Sequence, residues 1–304
     1  MNDILEVLGE YTFQTVALGS LLLGLISGLV GSFVVLRKQG LLGDAISHST
    51  LPGIALVFLM TGHKDTELLL LGAGIAGLLA MLAILNITKY TRVKFDAALA
   101  LVFSVFFGVG MVLMTAIQKL PNASQAGLDR FVLGQAATMM RSDLQIMLVC
   151  AIILLVLSLM FWKELKLFIF DVDFARSVGF SSKFLNTLLS LMIVMGIVVG
   201  LQTVGAILMC AMLICPAVAA RQWTNRFGRM VALSAALAAI AGVTGTLISS
   251  LVSKMPTGPL IVVVMSCITF ISMLIAPSRG VLAKMLQHHR NKSNFASMKG
   301  ELEA

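Results

Sequence analysis

The sequence predicts an all-α polytopic membrane protein with about nine membrane-crossing helices, or eight if one apolar stretch is re-entrant. Three observations carry that class. The chain of 304 residues is 59% hydrophobic and only 12% charged. Soluble domains carry roughly 25% charged residues, and a water-soluble core of this size has no room for so much apolar surface. The apolar runs are about 17–25 residues long, which suits helices crossing a hydrocarbon core of about 30 Å. No run alternates polar and apolar residues in the manner of a barrel strand.

In chain order the spans fall at about 12–36, 41–60, 67–87, 96–116, 144–161, 184–201, 203–220, 229–251 and 258–277. The first follows MNDILEVLGEYT, which holds three acids and no Lys or Arg. It lacks the basic n-region of a cleavable signal, and the apolar run behind it is too long for a signal h-region. The stretch 184–222 is too long for one crossing. Gln202-Thr203, flanked by Gly200 and Gly205, marks a break within it. Basic residues support the break. Nine spans with the N-terminus outside and the C-terminus cytoplasmic place 17 of the 22 Lys and Arg on the cytoplasmic side, as the positive-inside rule asks. A single span there would put the two basic loops flanking it on opposite sides.

Two connections are long. Residues 117–143 lie outside and include FVLGQAATMM, a candidate interfacial helix. Residues 162–183 lie inside. The chain thus divides into a membrane domain, 1–277, and a basic polar tail, 278–304, whose His288-His289 pair reads as solvated tail. Gly24, Gly28 and Gly31, and the pairs Gly74/Gly77 and Gly242/Gly245, stand about one turn apart and read as close helix packing. The formal charge of +8 is spread over cytoplasmic loops, so it does not argue for nucleic acid. Cys150, Cys210, Cys215 and Cys267 lie in apolar runs at no disulfide or zinc spacing, and read as small buried side chains.

The chemistry concentrates at one place. Of fourteen Asp and Glu, only Asp44 lies inside an apolar run, and His48 is the only histidine that does. An ionisable group in a span costs at least about 2.5 kcal/mol on insertion scales, so it reads as functional. Positions i and i+4 share one helix face, so this carboxylate and imidazole can touch one divalent ion. A plain Asp44–His48 pair fixing a helix end is the bland alternative. Pro52 and Gly53 weaken the helix beyond and free carbonyls there. Two ligands do not complete a site: Mn²⁺ usually takes about six and Zn²⁺ about four. Water, carbonyls or a second copy of the chain must supply the rest.

In the inner loop KELKLFIFDVDFARSVGFSSKF, Asp171 is placed as an N-cap, Asp173 in the first turn and Gly179 as the stop of a helix of about two turns. It reads as a surface turn or as a docking element for a soluble partner. The chain has no G-x-x-x-x-G-K-[ST] loop, so it does not hydrolyse ATP by that route. It also lacks H-E-x-x-H and G-x-S-x-G, which weakens intramembrane hydrolase readings.

Three segments together resemble one family. GLLGDAISHSTLPGIAL resembles the GDAISHA-x-LPG stretch of the permeases of ATP-binding-cassette importers for manganese, zinc and iron. FDVDFARSVGF resembles their coupling loop, D-x-x-x-A-x-x-x-G. QTVGAILMCAMLICPAVAA, 202–220, resembles a signature segment of theirs and contains Gln202, Gly205 and Pro216. The resemblance covers nearly the whole chain. Cys215 and Val218 depart from the small or hydroxyl residues commoner there.

The resemblance implies a type II importer-like permease in a bacterial cytoplasmic membrane. It pairs with a second copy or a homologous permease, receives the ion from an extracytoplasmic metal-binding protein, and is driven by cytoplasmic ATPase subunits. No cofactor is bound permanently. Oxygen and nitrogen ligands with no cysteine thiolate near them favour Mn²⁺ as the cargo, with Zn²⁺ or Fe²⁺ next. Metal ligands map onto Asp44 and His48, and the coupling pattern onto Asp171, Ala175 and Gly179, with Asp173 beside them in the first turn. The rival readings are a partner-independent carrier or channel using Asp44 and His48 as a proton or metal relay, and uptake of a metal chelate.

Overall fold

The computed structural model describes residues 11–63, 65–119, 134, 139–252, 255–277, 280–283 and 285, without the side chains of residues 202 and 207. The helices are α1 (Tyr11–Leu36), α2 (Leu42–Ser49), α3 (Leu51–Thr61), α4 (Thr66–Tyr90), α5 (Phe95–Gln118), α6 (Arg141–Met160), α7 (Trp162–Phe170), α8 (Val172–Ser177), α9 (Ser182–Val204), α10 (Ala206–Trp223), α11 (Phe227–Leu251) and α12 (Thr257–Ile275). No strand occurs among the described residues. Among the described residues eight stretches are long and apolar enough to cross a membrane, with α2 and α3 counted as one and α10 as a shorter apolar helix, Leu208–Trp223.

The break expected near Gln202-Thr203 falls at Gly205. Its φ of 84° and ψ of 166° lie in a region that is essentially glycine's alone. Contacts show that the chain reverses there. Asn186, early in α9, accepts from Arg37 just beyond α1, while Gly196 faces Val30 and Gly200 faces Leu23. α9 therefore runs antiparallel to α1. α10 runs back parallel to it: Leu213 lies against Gly31, and Ala217 and Ala220 pack with Leu36. The stretch 184–222 is two antiparallel helices, the second of them short.

α1 is the hub, packed by α11, α10, α6 and α9. Its Gly24 and Gly28 meet the α11 backbone at Ala235–Ala239. A second group is formed by α3, α4 and α5. α2 bridges the groups, touching α10 on one side and α5 and α4 on the other. Hydroxyls tie helices together where the bilayer offers no partner: Ser20 bonds Thr246 across α1 and α11, and on α12 Thr269 and Ser272 donate to the α10 carbonyls of Cys215 and Ala219, on either side of Pro216.

Two expectations change. The cysteines are not buried: Cys150, Cys210 and Cys215 are half-buried and Cys267 is exposed, because a small apolar side chain fares as well against lipid as against protein. Asp143, expected in a loop, is buried in the first turn of α6, where its Oδ2 accepts from the Met140 N–H at 2.9 Å. The segment 131–140 and the His288-His289 pair lie largely outside the described residues.

Candidate metal passage and coupling element

α2 is placed by an unusual turn. At the end of α1 the Lys38 N–H donates to Val35 O and the Gln39 N–H to Val34 O, both at 3.1 Å. This is the Schellman pattern, with Lys38 at the left-handed position usually given to glycine. Its φ is +58°, which costs a residue with a Cβ about 1–2 kcal/mol. The chain then enters α2 two residues beyond Gly40.

At the far end of α2, Pro52 has no N–H to donate to the His48 carbonyl four residues back. The Thr50 and Ser47 hydroxyls fold back onto Ser47 O and Gly43 O at 2.6 Å each. α2 is thus a short separate rod, buried except for one face.

That face carries Asp44 and His48. The His48 Nε2 stands 3.5 Å from the Asp44 Oδ1. Two ligands of one ion stand at this spacing: bonds of about 2.1 Å put donors roughly 3.0 Å apart at right angles and roughly 3.4 Å apart at the tetrahedral angle. The His48 side chain is 14% exposed and that of Asp44 45%. The imidazole is set by two α5 rings, meeting Phe103 at 5.6 Å and Phe107 at 5.1 Å, both edge to face. These rings stack on each other at 5.6 Å. The His48 Nδ1 is buried with no hydrogen-bond partner among the described residues. Packing therefore holds the ring where a hydrogen bond often does.

On the other side is α10. Cys210 lies against Gly43, and its thiol donates to Gly40 O at 3.7 Å. The sequence reading places no thiol near the pair; the fold brings one to the start of α2. Ten residues of α10 separate Leu213, beside Gly43, from Trp223 at its end, or about 15 Å of helix axis. The pair therefore sits well inside the bundle. No group of three or more His, Cys, Asp or Glu able to hold a metal occurs among the described residues. One chain offers two donors and an open face. A cavity of about 480 Å³ between α4, α6 and α9 is lined almost wholly by apolar side chains, and neither Asp44 nor His48 lines it.

The inner loop forms as its residues predict. The Asp171 Oδ1 accepts from the Phe174 N–H at 2.9 Å and caps α8. Asp173, in the first turn, faces Arg176 at 3.4 Å on the exposed surface, and Ala175 is buried. Gly179, at φ +95°, closes a second Schellman turn, with the Phe180 N–H on Ala175 O and its own N–H on Arg176 O. Phe174, Val178 and Phe184 are 53%, 55% and 52% exposed, an uncovered apolar surface around α8.

Of the signature residues, Gly205 makes the reversal and Pro216 is buried inside α10. Gln202 lies in the last turn of α9, its side chain outside the described residues. The structure brings Asp44 and His48 together and leaves Asp171, Asp173, Ala175 and Gly179 on a separate element.

Residues 10–276 match the model of the ABC 3 transport family. The chain belongs to this family. The permease is 47% identical over 290 residues to the "Zinc transport system membrane protein TroC" of Treponema pallidum, covering 95% of this chain and 97% of that one. It is also 47% identical over 274 residues to the "Manganese transport system membrane protein MntC" of Bacillus subtilis, covering 90% of this chain and 63% of that one. Among solved structures it resembles "PsaBC from Streptococcus pneumoniae in complex with Fab", with a TM-score of 0.80, 30% identity and coverage of 91% and 97%. The ABC 3 permease is thus a multi-pass protein of a bacterial membrane and the permease subunit of an ABC transporter.

Proposed function

We propose that this permease carries a divalent transition-metal ion, manganese first and zinc or iron next, into the cytoplasm. Asp44 and His48 are the ligands. The observation that carries the reading is their 3.5 Å pairing on the one open face of an otherwise buried helix. Oxygen and imidazole donors suit Mn²⁺ and Zn²⁺, and relatives named for manganese and for zinc lie equally near in identity.

A second copy of the chain, or a homologous permease, completes the site. With two Asp44 and two His48 facing each other, two carboxylates neutralise the ion's charge in a low dielectric. The N-terminus lies outside, an extracytoplasmic binding protein hands over the ion, and cytoplasmic ATPase subunits dock at α8. The uncovered Phe174, Val178 and Phe184 and the buried Ala175 support that docking.

The test is uptake of radioactive Mn²⁺ into vesicles holding the permease with or without the ATPase subunits. ATP-dependent uptake that vanishes without those subunits is expected. Uptake by the permease alone, driven by a proton gradient, overturns the reading in favour of a secondary carrier.

A further inference from the structure

The α7–α8 element is clasped to the cytoplasmic end of α1, one residue before the turn that leads to the metal helix. In α7, Leu165 and Phe168 are buried. The guanidinium of Arg37 lies over the Phe168 ring, 5.0 Å from its centroid, and its Nη1 donates to the Asn186 Oδ1 of α9 at 2.8 Å. Arg37 makes no ion pair among the described residues. Its side chain is therefore held by its place over the Phe168 ring and by one hydrogen bond; a planar guanidinium can stack on a ring and donate from its edge at once, and an ammonium cannot stack.

Around it, Trp162 and Phe170 of α7 pack on Phe227 of α11, with centroids 4.7 Å and 6.1 Å apart, and Phe227 packs on Phe33 of α1 at 5.8 Å. The element that carries α8 is thus packed onto the end of α1. The next residues carry local strain. Lys38 sits in the left-handed region, and the Gln39 Oε1 is buried with no partner among the described residues. Two groups held away from their preferred states at one turn mark a place where the chain has a second arrangement within reach.

We propose that Arg37, clasped between Phe168 and Asn186, is the joint through which movement of the α7–α8 element turns α2 and its Asp44–His48 pair. Arg37 touches neither ion nor nucleotide and is a positioning residue. When ATPase closure displaces α8, α7 follows, and the clasp transmits the displacement to Arg37. The strained Lys38–Gln39 turn converts it into a reorientation of α2 against Phe103 and Phe107. The inference rests on the docking role proposed for α8.

The test uses the assembled transporter in lipid nanodiscs and vesicles, with Arg37→Ala, Arg37→Lys, Phe168→Leu and the double variant Arg37→Ala/Phe168→Leu. Ions moved per ATP hydrolysed fall about tenfold in Arg37→Ala, within the usual range of coupling between linked sites, and fall in the same direction in Arg37→Lys and Phe168→Leu. Mn²⁺ binding to the permease and retention of the ATPase subunits stay as in the wild type. The double variant is no worse than Arg37→Ala, because both changes remove one contact.

A wild-type ratio of ions to ATP in Arg37→Ala overturns the proposal. If that variant does not assemble, a wild-type ratio in both Arg37→Lys and Phe168→Leu does so. Asp171→Ala separates the two levels. If it leaves ATPase retention and uptake intact, the docking reading fails. If it weakens retention while Arg37→Ala keeps full coupling, the joint alone fails.

Discussion

Asp171→Ala removes the one side-chain cap of α8. The helix has six residues, Val172–Ser177, and isolated helices of that length are marginal in water. Its ends are held by the Asp171 carboxylate on the Phe174 N–H at 2.9 Å and by the turn at Gly179. The Asp173–Arg176 pair is highly exposed on both sides and adds little. Loss of an N-cap to alanine costs about 1 kcal/mol. If α8 docks only when helical, a population lowered by that amount weakens ATPase affinity about fivefold. The assay is a titration of purified ATPase subunits onto permease nanodiscs. Asp171→Asn is the control, since asparagine caps as well as aspartate. Near wild-type affinity for Asn and fivefold weaker affinity for Ala are expected. Equal loss in both variants refutes the capping argument and assigns the carboxylate a direct ionic contact. No loss in either refutes α8 as the docking element.

Lys38→Gly removes about 1–2 kcal/mol of left-handed strain and adds about 0.5–1 kcal/mol of unfolded-chain entropy, so the thermal midpoint in detergent rises slightly; a clear fall contradicts the cap geometry. Gly205→Ala forces a Cβ into a glycine-only region at about 1–3 kcal/mol, so the midpoint falls and uptake falls with it; an unchanged midpoint contradicts the reversal at Gly205. Phe107→Ala frees one side of the His48 ring and lowers Mn²⁺ affinity more than it lowers stability, as titration beside a melting curve will show; wild-type affinity removes Phe107 from the site.

The spans were legible because lipid imposes one rule on every helix, an apolar length matched to the bilayer. Those expected from hydropathy end within three residues of the observed helices. The reversal near Gly205 was legible from its glycines and from the basic loops on either side. Asp44 and His48 stood out because charge is rare in such runs, and the α8 caps because capping is a local rule.

What was not legible depends on contacts distant in sequence. Cys210 reaches Gly40 across 170 positions. Phe103 and Phe107 carried only an i, i+4 aromatic signal that lipid-facing helices also show. Lys38 gave no sign, because a left-handed lysine is set by the turn around it and not by its own preference. The Arg37 clasp needed three helices to meet.

The most direct test of the account is the stoichiometry of Mn²⁺ bound to the purified permease, with Asp44→Ala and His48→Ala beside it. One ion per two chains, lost in both variants while the fold and assembly persist, is the result the account predicts. One ion per chain, or binding that survives both substitutions, contradicts it.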